Sequence, residues 1–437
     1  MYTNKIRTRQ IRTNRIHTHL HDAPSVRRAS VVARRCSSTS RHTILAGVLF
    51  LVALSAFAEA FPQAVGVPTI RDAAAALAAG DLKGAETDLQ LLLRANSTNA
   101  HALNLLGIVR AQQKREGEAE SLFKQAIAIQ PDFAGAHAGL GLLYLQMGDD
   151  DRAISPLQEA LRLDPTRTDV QSALIGVWRR LAHAAVQQGD PEKALAVLIA
   201  ARKLNSSDRD VQYDLGMVSL HMSLFPDAVN AFNEVLKLRP DDAAALYGLG
   251  RAKISMAKFH DARQAFEHYI QLRPADTSGH YALGITLQAL QRTSDARAAY
   301  ERSIALQPQQ TESYLQLGLM DLDAGNTSAA AEKFERVLKR APQHAGALTG
   351  LGRVKFQEKQ YAEAATLLEK SVAAYAGSRE AHYYLGLTDA RLGKKEESEK
   401  ELQTASRLEH EEVEKHQNML QILDPDQFQG TATAPSR

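Results

Sequence analysis

Small and large apolar positions recur along this chain on a beat of 34 residues. Alanine stands at Ala85, Ala119 and Ala153, then at Ala194, Ala228, Ala262, Ala296, Ala330 and Ala364. Glycine keeps the same step at Gly107 and Gly141, then at Gly216, Gly250, Gly284, Gly318, Gly352 and Gly386. Proline follows it at Pro131, Pro165, Pro240, Pro274, Pro308 and Pro342. Three interlocked series with one period identify an internal repeat, which decides the fold before any local motif is weighed.

The unit Ala134 to Arg167 shows how the pattern works. Leu140-Gly141 and Tyr144 belong to a first helix, Gly148-Asp149 to a turn, and Ala153, Leu157 and Ala160 to a second helix. Gly141 and Ala153 lack bulk, so the two helix axes can approach where they cross. Leu140, Tyr144 and Leu157 fill the gaps on either side. Asp164-Pro165 ends the second helix, because proline has no amide to continue it and restricts the residue before it. Neither helix buries its apolar stripe alone, so stability comes from stacking on neighbouring units.

This unit resembles the tetratricopeptide repeat. In that family's phase ten units run from Gly66 to Glu412, with seven extra residues at 168–174. The resemblance implies an all-α fold, a right-handed α-α superhelix (solenoid) of about ten helix-turn-helix repeats. The first unit has Ala73 for the glycine and Ser97 for the proline, and the last has Ser398 for the alanine. Such departures suit terminal repeats. A heptad insertion keeps the apolar face within about 20°, and predicts one lengthened helix from about Asp169 to Gln188. Thr168-Asp-Val-Gln171 reads as a capping box at its start, and Asp190-Pro191 as the opening of the next helix. Residues 413–423 read as a C-terminal capping helix, and 424–437, which have no periodicity, as a disordered tail.

Composition changes this picture little, and charge changes it at one end. The apolar share of 44% and charged share of 23% are those of an ordinary soluble protein. The net charge of +2 conceals an asymmetry: 1–42 hold ten basic residues and one acid, leaving 42 basic residues against 49 acidic ones. A mildly acidic body argues against nucleic acid as a partner. After Arg41-His42 an uncharged apolar run spans 44–58, followed by Ala56-Phe-Ala58 and Ala58-Glu-Ala60. A basic flank, an apolar core and a small-x-small exit are the parts of a secretory signal. Residues 1–60 are therefore expected to be a leader, cleaved to release an exported, periplasmic or extracellular protein. The alternative is an inner-membrane anchor at 44–58, which would be the chain's one membrane contact. The only cysteine, Cys36, lies in that leader, so a disulfide framework is excluded.

The tetratricopeptide resemblance also implies a concave groove, lined by first-helix residues around the Leu-Gly pair, that binds protein segments. Two residues before the leucine stand Tyr213, Tyr247, Tyr281 and Tyr383. The first three are expected to form a ladder along the groove wall. Nearby groove positions hold His101, Asn104, Arg179, Met217, His221, Arg251, Arg353 and Phe356. Tyrosine and arginine are hot-spot residue types, yet a tyrosine with a polar tip suits packing between helices as well. Tyr144 and Tyr300, at other positions, are expected to pack. No asparagine directly follows a Leu-Gly pair, which disfavours capture of chaperone C-terminal carboxylates.

Catalytic patterns fall on packing positions. Gly139-Leu-Gly141, Gly248-Leu-Gly250 and Gly350-Leu-Gly352 lie inside helices with no preceding strand, so they are not phosphate loops. His410-Glu-Glu-Val-Glu414 lacks the second histidine of a zinc-protease helix. The remaining histidines read as scattered on exposed helix surface. The expectation is a non-catalytic scaffold in the cell envelope, with no cofactor, metal or small-molecule substrate, that binds a protein or peptide. The alternatives are a structural part of a secretion, pilus or exopolysaccharide-export assembly, and an accessory subunit of a separately encoded enzyme.

Overall fold

The computed structural model describes residues 68–422, with side chains as far as Glu411. The leader assigned to 1–60 and the tail assigned to 424–437 lie outside the described residues. Those described form twenty α-helices and no strand, as the repeat pattern predicts. None of these helices is long and apolar enough to cross a membrane.

The chain divides between Ala265 and Phe266 into two bodies. The first holds α1 (Ile70–Ala78), α2 (Leu82–Ala95), α3 (Ala100–Gln112), α4 (Glu116–Ile129), α5 (Ala134–Met147) and α6 (Asp150–Leu163). It continues with α7 (Thr168–Gln187), α8 (Pro191–Leu204), α9 (Arg209–His221), α10 (Phe225–Leu238) and α11 (Ala243–Ser255). The division falls in α12 (Phe259–Leu272). The second body holds α13 (Thr277–Ala289), α14 (Thr293–Leu306), α15 (Glu312–Asp323), α16 (Thr327–Leu338) and α17 (Ala345–Gln357). It ends with α18 (Tyr361–Ala374), α19 (Arg379–Arg391) and α20 (Lys395–Ile422). Odd-numbered helices are the first, or A, helix of each unit, and even-numbered ones the second, or B. Inside each body A packs on its own B, and B on the next A.

Local chemistry sets the helix ends. Asn99, Asp149, Asp190, Asp208 and Asp242 each accept from an amide of the first turn that follows, satisfying a donor the helix leaves free. The turn from A to B uses one residue in the left-handed region in every unit. Gly80, Gly148, Gly189, Gly325 and Gly393 take it at φ near +80°, and Lys114, Ser223, Ala257, Gln291 and Lys359 at 55–64°. This conformation lets the next amide reach back to close the helix, as Asp149 N–H does to the Tyr144 carbonyl at 2.9 Å.

The core follows the repeat. All nine alanines of the series have zero exposure, and Phe123, Phe232, Phe334, Tyr300, Leu157 and Leu198 are buried beside them. In the last unit Ser398 takes the alanine's place and donates to the Gly386 carbonyl at 2.8 Å. Glycine is required at two places around Phe123, Phe232 and Phe334, whereas the second place after the buried Phe266 is Ala282. A methyl on Gly107 would come within 2.8 Å of Phe123, one on Gly318 within 2.7 Å of Phe334, and one on Gly350 within 2.5 Å of Phe334. Gly139 and Gly248 meet Phe123 and Phe232 in the same way. The first glycine of each Gly-Leu-Gly thus receives the ring from the preceding B helix. Where that B helix carries leucine (Leu157, Leu198, Leu368), the next A helix has room for Arg180, Asp214 or Tyr384 at the glycine's place.

Two sequence expectations are corrected. Thr168 makes no capping box: it is already helical, Arg167 is the N-cap, and the Gln171 side chain donates instead, through Nε2, to the Leu204 carbonyl at 2.7 Å. The histidines are not simply scattered. His137, His280 and His382 share one repeat position, where Nε2 donates to the carbonyl of Pro131, Pro274 or Ala376 at 2.9–3.0 Å. His382 is buried and bonds Glu401 through its other nitrogen, tying α19 to α20.

Candidate functional site

The A helices of the first body carry a chain of ion pairs. Arg179 of α7 donates to Asp214 of α9 at 2.7 Å and to Asp210 at 2.9 Å. His183 lies 3.2 Å from the other Asp214 oxygen. Arg209 continues the chain to Asp210 at 2.8 Å and, through Nε, to Asp242 at 2.9 Å. Asp214 is buried and held on both oxygens. Its hydrogen bond lifts the His183 imidazole above the ordinary value, against partial burial. Burial would raise Asp210, but the guanidinium groups of Arg209 and Arg179 hold it below the usual carboxylate range.

Tyr213 stands half-buried in this network, with Arg209 over its ring at 5.1 Å and Phe232 at its edge, 5.9 Å away. Burial raises its phenol, and Arg209 and, more weakly, Arg251 oppose that rise. Tyr247 is half-buried, Met217 packs in the core around Phe232, and His221 is exposed. Arg251 differs from the other half-buried arginines here: among the described residues it has no carboxylate at ion-pair distance. Nearer the chain start, Asn104 is buried, so it offers no open groove surface. Arg110, also buried, pairs with Glu86 at 2.8 Å. That bond and one from Gln113 lower the Glu86 carboxyl to about 2. Beside the lengthened α7, Trp178, Leu174, Pro156, Leu140 and Ile127 line an open cleft of about 810 Å³.

In the second body Tyr281 is 5% exposed, packed 6.0 Å from Tyr300. The expectation that it presents a groove surface is therefore corrected, because the fully buried Tyr300 takes up its face. Three other expected residues come together at the A helices α17 and α19. Arg353 is buried, donates to Glu380 at 2.8 Å and to Asp323 at 3.5 Å, and lies over Tyr384 at 5.0 Å. It is a brace within the face, not a free hand for a ligand. Phe356 meets Tyr384 at 6.0 Å and Tyr361 at 5.6 Å. Tyr383 stands edge-on to Tyr384 at 5.4 Å and is 45% exposed.

Sequence reading missed Asp210, Asp214, Arg209, Tyr384, Glu380 and Asp323, which organise both faces. A signal existed for two of them. Asp214 and Tyr384 occupy the place of the ring-receiving glycine, which Leu198 and Leu368 free for a larger residue.

Comparison with known proteins agrees with this architecture. A family model described as tetratricopeptide repeat matches residues 72–132, 179–222, 220–255, 249–311 and 315–379, and a second of that description matches 110–174. Together they cover more than half of the chain. The human protein O-mannosyl-transferase TMTC3 is 37% identical over 68 residues, and the chain spans 7% of its length. MamA from Desulfovibrio magneticus RS-1 is similar at 24% identity and a TM-score of 0.37, over 39% of this chain and 96% of that one. A tetratricopeptide repeat protein from Parabacteroides merdae has 17% identity and a TM-score of 0.43, over 58% of this chain and 98% of that one.

Proposed function

The chain belongs to the tetratricopeptide repeat family, and from that premise we propose that it is a non-catalytic adaptor of the cell envelope. Arrays of this family are protein-interaction scaffolds. Export is supported by the basic flank and the apolar run 44–58 with its small-residue exit. The binding face is the set of A helices in the first body, where a segment of the partner lies across α9 and α11.

One observation carries this reading. Arg110, Arg179 and Arg209 are each held by carboxylates, whereas Arg251 on α11 is half-buried with none at ion-pair distance among the described residues. A partly desolvated cation without a counter-charge is costly unless something supplies one. A partner segment with a carboxylate or a line of backbone carbonyls does so, and exposed His221 and half-buried Tyr247 offer polar groups on the same helices.

The test is site-specific photo-cross-linking in cells, with the probe at His221 and, as control, at Glu234 on the B helix α10. The expected result is a discrete adduct from His221 alone, lost when Arg251→Ala is added while the melting temperature holds. The same adducts from both positions, or adducts indifferent to Arg251→Ala, would remove the face from consideration. Cell fractionation with N-terminal sequencing of the purified protein tests export independently.

A further inference from the structure

Four tyrosines in the array share one arrangement: an arginine lies over the ring and a carboxylate holds the arginine. Arg152 stands over Tyr144 at 4.1 Å and is held by Glu120. Arg209 stands over Tyr213 and is held by Asp242. Arg336 lies 5.2 Å from the Tyr314 ring centre, with Glu332 at 3.7 Å. Arg353 lies over Tyr384, with Glu380 at 2.8 Å. The attraction between a guanidinium and the ring quadrupole, reinforced by a carboxylate, is the array's recurrent way of using a tyrosine.

Tyr383 has two of the three parts. Its ring is the most exposed among the four tyrosines at its repeat position. Glu380 precedes it by three residues on α19, on the same helix face. Asp323 reaches the cluster through Arg353. Its carboxylate is about half exposed at 46%, Oδ1 meets Arg353 only at 3.5 Å, and Oδ2 makes no bond among the described residues. No cation lies over the Tyr383 ring among the described residues. Arg379, which corresponds to Arg209 by repeat position, makes no ion pair or ring contact there. Arg353 itself is buried and bound to both acids, so it is not available to hold an anion.

We infer that Tyr383, Glu380 and Asp323 form a seat for an arginine or lysine side chain carried by a segment of a partner protein. The incoming cation completes the fifth tyrosine–cation–carboxylate set: it lies on the exposed ring and takes the unused Asp323 oxygen. This rests on the reading of the chain as a protein-binding scaffold and adds the chemistry of what the second body accepts.

The experiment uses the full chain and two fluorescein-labelled octapeptides, alike in a glycine–serine background except that one carries two arginines and the other two citrullines. Citrulline keeps the planar shape and part of the N–H donor set while removing the charge, a carbonyl oxygen standing where arginine has its third nitrogen. Fluorescence anisotropy is expected to show about tenfold tighter binding of the arginine peptide. Tyr383→Ala and Asp323→Asn should each abolish that preference, and Tyr383→Phe should keep it because the ring face remains. Arg379→Ala, which removes the arginine at the repeat position of Arg209, should bind the arginine peptide at least as tightly. Equal binding of the two peptides, no binding of the arginine peptide, or a preference that survives Tyr383→Ala would overturn the seat. Because Arg251 and His221 are untouched, retention of the His221 cross-link under those outcomes would sink the seat and leave the adaptor reading standing.

Discussion

The A-helix faces of the two bodies are made from the same residue types to different ends. In the first, Arg179, Arg209, Asp210, Asp214 and Asp242 form a continuous ionic chain across α7, α9 and α11, with Tyr213 enclosed by it. In the second, one arginine, Arg353, is buried beneath Tyr384, and the open surface is the ring of Tyr383 with carboxylates nearby. Tyr213 and Tyr383 hold equivalent repeat positions, yet one is stabilised by its own chain and the other is left for something else. A residue's place in a repeat therefore gives its direction but not its use. The use depends on whether neighbouring positions complete its interactions.

Substitutions at equivalent positions can break this comparison. The largest contrast is expected between Tyr281→Ala and Tyr383→Ala. Tyr281 is buried against Tyr300, so its truncation should cost about 3–5 kcal/mol. Tyr383→Ala should stay within about 0.5 kcal/mol. Urea unfolding of both variants measures the difference, and similar losses would show that exposure does not separate the two roles.

A smaller effect tests the ionic chain. Asp214→Asn leaves Arg179 short of its closest counter-ion and should cost about 2–3 kcal/mol. It should also change the response to pH. The His183 pKa is raised by Asp214, so that pair contributes stability in full below the ordinary imidazole value. The contribution is lost as pH rises through the higher folded value. Melting curves taken upward from mildly acidic pH should show this slope, and Asp214→Asn should lose it. An unchanged slope would assign the pH response elsewhere.

The smallest effect lies at the A–B turn, where the first body places Ala257 and the second Gly325 in the left-handed region. Ala257→Gly should stabilise by about 0.5–1 kcal/mol, since an L side chain is strained there. A loss of stability in thermal melts would mean that the Ala257 methyl packs usefully and that the turns are not equivalent.

The fold was legible because its determinants are small residues at fixed spacing. Ala153, Gly141 and Pro165 state where helices cross and end, and one unit suffices to decode the others. The faces were less legible because their determinants are pairings between units. Tyr281 and Tyr383 look alike in the sequence, and what separates them is whether a neighbouring side chain, such as Tyr300, covers the ring. The capping box at Thr168 failed for a related reason: Gln171 was claimed by a carbonyl 33 residues away, which no local pattern anticipates. The heptad spacing did survive translation into structure, as the 20-residue helix α7.

The fit between a B-helix ring and the following glycine also bears on how such an array can change length. Units sharing a 34-residue phase look interchangeable, but their borders are not. Excising 345–378 would preserve the phase and yet bring Tyr384 to the place where Gly350 now receives Phe334. Excising 311–344 would set Gly350 after Tyr300 in place of Gln316. Gain or loss of a unit is therefore tolerated best where the new neighbours already match in bulk, so the inherited module is a B helix with the A helix that follows it. The seam of duplication in this protein is expected to lie in the A–B turn, offset by half a unit from the repeat as it is conventionally drawn.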